Sequence, residues 1–180
     1  MSDSNKQSVL YNKTYYLVAL IVILLAYILL NIEYGTVLGA DGKRTYISSN
    51  PANLPKFLAL PRDEPIDMLN MIRFKDLAEY EPGSEFANKG WTGVQAYAEY
   101  SRRSQVVLDR LSPEIVYSGT PALTIIGPKD EYWDVVFVLR YASVPAFGEV
   151  MKDPEYQMHK FHRKAAVADS RLVRLAPAPA

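Results

Sequence analysis

The chain has 180 residues, enough for one domain of ordinary size with additional chain for a tail or a membrane anchor. Its 20 Lys and Arg balance 20 Asp and Glu, and this zero net charge argues against a nucleic-acid-binding protein with a broad basic surface. With no Cys and only 2 His, the sequence excludes a disulfide framework, a thiolate metal site and a three-histidine metal site. We therefore expect no metal, no cofactor and no nucleic-acid partner.

Residues 14–32 form an uncharged run, TYYLVALIVILLAYILLNI. A helix of this length spans about 28 Å, close to the hydrocarbon thickness of a bilayer. A buried core helix is the alternative, but such a helix normally keeps a polar stripe and none is visible here. The run is also longer than the apolar region of a cleaved signal peptide. The sequence therefore predicts a transmembrane signal-anchor helix over residues 14–32, after an N-terminal tail at residues 1–13.

The charges that flank this run indicate the orientation of the chain. Lys6 and Lys13 precede it, and Lys43 and Arg44 follow it at a greater distance. The free amino terminus and the nearness of Lys13 favour a cytoplasmic N-terminus. We expect a single-pass membrane protein with an extracytoplasmic C-terminal domain, which is periplasmic if the source is bacterial.

A spacer follows the predicted anchor. Residues 33–65 contain Pro51, Pro55, Pro61 and Pro65, whose spacing prevents a continuous helix and favours an extended segment. At the other end of the chain, residues 176–180 form an Ala/Pro tail. The segment between them, residues 66–175, is the predicted globular domain.

The elements of the globular domain alternate in type. Thr92 and Gln95 have the spacing of a capping box and open a helix that Pro113 ends. Asp153 and Pro154 open the last helix. The predicted order is a strand at 66–74, a helix at 92–112, two strand-like runs at 114–118 and 122–127 that can join as one bent strand over 114–127, a strand at 133–141, helices at 144–151 and 153–168, and a strand at 170–175. This β-α-β-β-α-β order predicts an α+β, ferredoxin-like sandwich.

Both faces of the predicted sheet are apolar. The strand at 66–74 places Met68 and Ile72 on one face and Leu69 and Met71 on the other. Helices in this fold cover one face only, so the second face needs another cover. We expect a homodimer in which two sheets pack face to face.

The globular domain resembles a known family. It is similar to the proteins of domain of unknown function 1330 at Asn70–Lys75, Tyr97–Tyr100, Trp133-Asp134, Ala146-Phe147, Asp153–Tyr156, His162–Ala166 and Asp169–Leu172. The resemblance covers roughly Ile66 to Leu175 and implies a dimeric α+β barrel. Other branches of that superfamily include cofactor-free monooxygenases, muconolactone isomerases and haem-dependent enzymes, and the family itself has no settled activity.

Asn70 is the most informative candidate for ligand binding. It lies between Met68 and Ile72 on an apolar face, where an amide without partners costs about 1–3 kcal/mol. It is either a structural amide bonded to backbone or water, or a ligand-facing amide in a barrel cavity. The remaining ligand-binding candidates, each with ion pairing or core packing as its structural alternative, are Arg73, Tyr97, Tyr100, Trp133, Arg140 and Arg163.

His162 is the candidate for proton transfer. On the last helix, we expect a buried stripe of Met158, Phe161, Ala165 and Ala168, with His162 at its margin. An unperturbed pKa near 6.5 suits a general acid or base, or a haem ligand, whereas a structural histidine is the alternative. The other histidine, His159, is predicted to lie on a wetter face.

Three hypotheses for function remain. In the first, which we favour, a membrane-anchored barrel binds a small, mostly apolar molecule that Asn70 and one arginine orient. In the second, the same cavity belongs to a cofactor-independent enzyme resembling a monooxygenase or isomerase, with His162 handling a proton. In the third, the barrel is packed solid and serves as a non-catalytic interaction subunit of a membrane complex.

Overall fold

The computed structural model describes Tyr16, Val18, Ile21, Val22, residues 36–38 and residues 44–176. Gly35–Ala180 forms one compact unit. Apart from the four positions named first, the predicted transmembrane helix at 14–32 lies outside the described residues, as do the tail at 1–13 and most of the Ala/Pro tail. Within the described part of the chain, no helix is both long enough and apolar enough to cross a bilayer.

The elements from residue 66 onward follow the predicted order. In chain order the described elements are β1 (Thr36–Leu38), β2 (Arg44–Tyr46), a 3-10 turn (Pro51–Asn53), α1 (Leu54–Ala59), β3 (Ile66–Phe74), α2 (Gly93–Leu111), β4 (Glu114–Gly119), β5 (Val135–Tyr141), α3 (Val144–Lys152), α4 (Pro154–Ala166) and β6 (Val167–Leu175).

The four long strands form one antiparallel sheet in the order β4-β5-β3-β6. Strands β3 and β5 are the two central strands, and β4 and β6 are the edges. Strand β4 precedes β5 in the chain and pairs with it, and β3 pairs with both β5 and β6. This interleaving of two strand-helix-strand units is the ferredoxin-like arrangement. The predicted α+β fold class is therefore confirmed.

Two helices begin as their sequences predict. At the start of α2, the Thr92 hydroxyl accepts from the Gln95 amide at 3.2 Å, and the Gln95 side chain accepts from the Thr92 amide at 2.9 Å. At the start of α4, one carboxylate oxygen of Asp153 accepts from the amides of Glu155 and Tyr156. Both sets of bonds satisfy backbone donors that the first turn of a helix leaves free.

The predicted bent strand over 114–127 is wrong in its second half, because β4 ends at Gly119. Gly119 pairs with Val136 near the start of β5, so no described strand lies opposite the residues that follow. Pro121 also lacks the amide that a ladder needs. Residues 120–134 form a loop instead, in which Leu123, Ile125 and Ile126 are 81%, 88% and 94% exposed.

The helices cover one side of the sheet, where the core forms two clusters. The first contains Ile66 and Met68 of β3, and the second contains Ile72 of the same strand. The opposite side carries Leu69 and Met71, which are only partly buried. The predicted apolar character of both faces is therefore present.

Part of the predicted extended spacer is folded onto the domain. Phe57 of α1 packs edge-on against Phe147 at 5.8 Å between ring centroids and adjoins the first core cluster. Ile47 adjoins the second cluster. The segment from β2 to α1 therefore belongs to the packed unit, and a shortened protein should keep it.

Candidate functional site

Asn70 lies between the two core clusters on the helix-facing side of the sheet. Met68, two residues earlier, belongs to the first cluster, and Ile72, two residues later, belongs to the second. The Asn70 side-chain nitrogen donates to the carbonyl of Met68 at 3.0 Å. Among the described residues, nothing donates to its amide oxygen. The middle of this face therefore holds a free polar acceptor between two apolar groups of side chains.

A row of aromatic rings crosses the helical layer from one cluster to the other. Tyr97 packs on Phe74 at 5.0 Å and on Tyr100 at 5.3 Å, and Tyr100 packs on Tyr156 at 5.9 Å between ring centroids. The Tyr100 hydroxyl donates to the Tyr156 hydroxyl. Burial raises the pKa of Tyr97 and Tyr100, so both phenols stay protonated at neutral pH.

One face of α4 adds His159 and Arg163 to this region. Both follow Tyr156 at the spacing of residues that share a helix face. The His159 Nδ1 atom is buried and has no hydrogen-bond partner among the residues that the structure describes. Arg163 donates from Nη1 to the Ile47 carbonyl at 2.7 Å and from Nη2 to the Ser170 hydroxyl at 3.0 Å. His159 is partly exposed whereas His162 is fully buried, so His159 lies on the wetter face as predicted, although its Nδ1 atom is buried.

Strand β6 contributes Arg174, which the sequence placed in a basic group at the end of the chain and not among the ligand-binding candidates. Arg174 pairs with Met68 across the sheet, so it faces the helices. Its side chain is 10% exposed, and its Nη1 atom is buried without a partner in the described part of the chain. Its Nη2 atom donates to the Pro61 carbonyl at 2.6 Å and lies 3.8 Å from a Glu64 carboxylate oxygen. We call the following set the inner site: Asn70, Tyr97, Tyr100, Tyr156, His159, Arg163 and Arg174.

Three predicted ligand-binding residues lie elsewhere. Strand alternation places Arg73 on the face opposite Asn70, where its guanidinium stacks on Tyr132 at 5.4 Å. Arg140 forms a two-pronged ion pair with Asp67 at 2.7 and 2.8 Å, on the same far face. Trp133 is buried where the chain enters β5, with the Arg171 guanidinium 5.2 Å from its ring centroid. The structure therefore does not bring these three together with Asn70.

His162 occupies a separate aromatic cluster. It is fully buried, its Nδ1 atom lies 2.8 Å from the Tyr80 hydroxyl, and the Phe86 ring packs against it at 4.6 Å. Burial lowers the pKa of His162 to about 4, so it is neutral at pH 7. The expected stripe on α4 is wrong, because Met158 and Phe161 are 66% and 41% exposed. The segment before α2 supplies Tyr80 and Phe86, and these rings cover His162 instead.

A surface depression of about 340 Å³ lies away from the inner site. It is lined by Trp91, Gln95, Ala98, Glu99 and Arg102, in and just before the first half of α2. Salt bridges to Arg102 and Arg103 lower the pKa of Glu99 to about 2. In the part of the chain that the structure describes, no group of His, Asp and Glu side chains is arranged to hold a metal ion.

Comparison with known proteins identifies relatives of this chain. No protein-family model and no curated protein matches it. A crystal structure of RPA0582, a protein of unknown function from Rhodopseudomonas palustris, is 41% identical over 76% of this chain and 99% of that chain, with a TM-score of 0.67. The chain belongs to the family of RPA0582.

A second structure of the RPA0582 protein, in methylated form, agrees with this assignment. It is 42% identical over 75% of this chain and 96% of that chain, with a TM-score of 0.68. A DABB-family protein from Mesorhizobium loti with a ferredoxin-like fold is 12% identical over 64% of this chain and 98% of that chain, with a TM-score of 0.41. Nothing about activity in the RPA0582 family follows from so low a likeness.

Proposed function

We propose that this protein is a membrane-anchored homodimer whose inner site binds a small, mostly apolar molecule. The observation that carries the proposal is the free amide oxygen of Asn70 between two apolar clusters. Asn70 is only partly buried, so a ligand that covers it would have to supply a donor to its amide oxygen or leave that oxygen unpaired at a cost of about 1–3 kcal/mol. Ligand sites commonly combine apolar walls with a few fixed polar groups.

Two further polar atoms support this site. His159 Nδ1 and Arg174 Nη1 are both buried without a partner among the described residues, on the helix-facing side that Asn70 also occupies. Few buried polar atoms in a folded protein lack a partner, so these two atoms are groups that a ligand of the inner site could pair with. The tyrosine hydroxyls of the row above the sheet add further hydrogen-bonding groups.

The homodimer is supported by the far face of the sheet. Leu69, Met71, Val136 and Val138 form its centre, and Tyr117 of β4 is 58% exposed beside them. A second copy of the same face buries this surface without a further partner. On this proposal the globular domain is a form of the domain of unknown function 1330 barrel, carrying an added N-terminal anchor.

The proposed anchor is the uncharged run at residues 14–32. Its length matches a bilayer, and its described positions Tyr16, Val18, Ile21 and Val22 are helical and exposed. The nearer Lys13 favours a cytoplasmic N-terminus and an extracytoplasmic barrel. The inner site would then meet ligands outside the cytoplasm.

The enzymatic alternative assigns proton transfer to His162, which lies outside the inner site. His162 is buried in the aromatic cluster and neutral at pH 7, and it is not part of the inner site. Its catalytic role stays a prediction, and the geometry favours a structural role.

Isothermal titration of the full chain with 1-naphthylmethanol, a neutral aromatic alcohol, tests the proposal. We expect saturable binding that Asn70→Leu weakens at least about tenfold, because the hydrogen bond from the alcohol to Asn70 is lost. The exposed Asn88→Leu variant is the matched control and should bind as the wild type does. Absence of saturable binding of both this alcohol and its carboxylate analogue 1-naphthoate would contradict the proposed function.

A further inference from the structure

Two arginines flank one exposed leucine on the helix-facing side of β6. Ser170, Leu172 and Arg174 pair with Ile72, Asn70 and Met68, so all three point toward the helices. Arg163 of α4 is bonded to Ser170, on one side of Leu172, and Arg174 lies on the other side. Leu172 is 52% exposed, so this side of the inner site opens to solvent.

The charges of the two arginines are poorly compensated. Within the described residues, Arg163 donates only to neutral acceptors, the Ile47 carbonyl and the Ser170 hydroxyl. Arg174 donates to the Pro61 carbonyl from Nη2, and the same atom forms only a long ion pair of 3.8 Å with the 59% exposed Glu64, which leaves Nη1 unpaired. Partly buried guanidinium groups normally pair with an anion, because an uncompensated charge away from water is costly.

The positive charge of Arg163 acts on the two buried tyrosines of the inner site. Burial raises the pKa of Tyr97 and Tyr100, and the positive charge of Arg163 opposes this rise in both residues. The same charge would stabilise any anionic group placed near these rings. An anion at the opening beside Leu172 would lie between Arg163 and Arg174 on the same side of β6.

We propose that the ligand of the inner site carries a carboxylate, which accepts a hydrogen bond from Arg174 Nη1 beside Leu172. Arg163 supplies the second positive charge, and the rest of the ligand extends between the two core clusters toward Asn70. This inference rests on the proposed function, because it names the ligand class of the same site. An amphiphilic carboxylic acid fits this arrangement, and its neutral analogue leaves Arg174 Nη1 unsatisfied.

The backbone of the folded spacer holds both guanidinium groups in place before a ligand arrives. The Ile47 carbonyl binds Arg163, and the Pro61 carbonyl binds Arg174. The centroid of the Phe57 ring lies 5.8 Å from the Arg174 guanidinium and adds a stacking contact. A site fixed in advance in this way spends less of its binding free energy on ordering side chains.

The test compares 1-naphthoate with 1-naphthylmethanol by isothermal titration into the full chain in a nonionic detergent. We expect the wild type to bind the carboxylate at least about tenfold more tightly than the alcohol. Arg174→Gln should remove this preference while it changes alcohol binding less than about twofold. Arg174→Lys, which keeps the charge, should recover part of the preference. The exposed Arg62→Gln variant is the matched control for loss of a positive charge and for partition of the probes into detergent.

Equal affinity of the wild type for the two probes would overturn the inference and leave the proposed function standing. If Arg174→Gln and Arg174→Lys weaken the binding of both probes equally, Arg174 only holds the spacer in place. This result would also overturn the inference. If Arg174→Gln fails to fold, the wild-type preference for the carboxylate and its loss in Arg163→Gln provide the same test. Saturable binding of neither probe is the separate result that removes the proposed function.

Discussion

The amide of Gly93 donates to the carbonyl oxygen of Lys75 at 3.0 Å, and a Cβ atom at position 93 would lie 2.4 Å from that same oxygen. The Ala166 carbonyl oxygen would be 2.6 Å away. This oxygen already accepts from the Lys75 amide, so α2, the end of α4 and the end of β3 meet at one point. Only a residue without a side chain permits this close approach of three backbones.

We therefore expect Gly93→Ala to lower the free energy of unfolding by about 2 kcal/mol, because backbone atoms must move to admit the methyl group. Urea denaturation of the compact unit Gly35–Ala180 measures the change. Gly148→Ala is the control: it lies within α3 and its Cβ would meet nothing within 4 Å. Helix propensity predicts a gain of roughly 0.5–1 kcal/mol for that variant. Equal effects of the two substitutions would contradict the packing found at Gly93.

The buried state of His162 predicts a pH-dependent stability. Its pKa is lowered to about 4 in the folded protein, whereas the unfolded chain titrates near 6.5. Between these values the unfolded state binds more protons, so stability is fully present above pH 6.5 and is lost as the pH falls through about 4. Urea midpoints between pH 4 and 7 should fall less steeply for His162→Phe than for the wild type. Parallel pH profiles of the two proteins would be evidence that the histidine is not held neutral.

Local sequence patterns were enough to predict the fold, but they were not enough to predict which residues form the candidate site. The capping box at Thr92 and the Asp153-Pro154 pair lie within one turn of the helix they begin, so the sequence suffices to place them. Strand alternation could also have separated Asn70 from Arg73, which are an odd number of residues apart.

The environments of His162 and Arg174 depend on contacts distant in the sequence. His162 is covered by Tyr80, a residue 82 positions earlier in the chain. Arg174 faces the inner site because its partner is Met68 and because the Pro61 carbonyl, 113 residues away, holds it. These partners are too far apart in the sequence for a local pattern to include both. The periodicity of α4 and β6 alone therefore could not identify the surroundings of His162 and Arg174.

The free amide oxygen of Asn70 predicts that Asn70→Leu raises the stability of the protein and weakens its ligand binding. Replacing Asn70 with Leu joins the two core clusters with an apolar side chain of similar size and removes an unsatisfied acceptor. We expect the free energy of unfolding of the unliganded unit to rise by about 1 kcal/mol, because more apolar surface is buried, while ligand binding weakens at least about tenfold. Chemical denaturation of Gly35–Ala180 with and without the substitution measures this effect. A loss of stability of about 1 kcal/mol or more would show that the amide serves the fold.

The orientation proposed from the flanking lysines can be tested in cells. A reporter enzyme that is active only outside the cytoplasm, fused after Ala180, should be active in the full-length chain. Replacing Lys6 and Lys13 with Gln should reduce this activity, because on this proposal these charges retain the N-terminus inside. A fusion that is inactive, with the protein still in the membrane fraction, would reverse the proposed placement of the barrel.

The far face of the sheet predicts the oligomeric state of the compact unit. Val138 lies at its centre, paired with Leu69 on one side and Tyr117 on the other. In the monomer a Glu at position 138 would reach water, whereas between two packed sheets its charge would be buried without a partner. Size-exclusion chromatography with light scattering should find Gly35–Ala180 as a dimer and its Val138→Glu variant as a monomer. Val106→Glu, at a site on α2 that is 54% exposed, should remain dimeric, and a monomeric wild type would refute the proposed pairing of sheets.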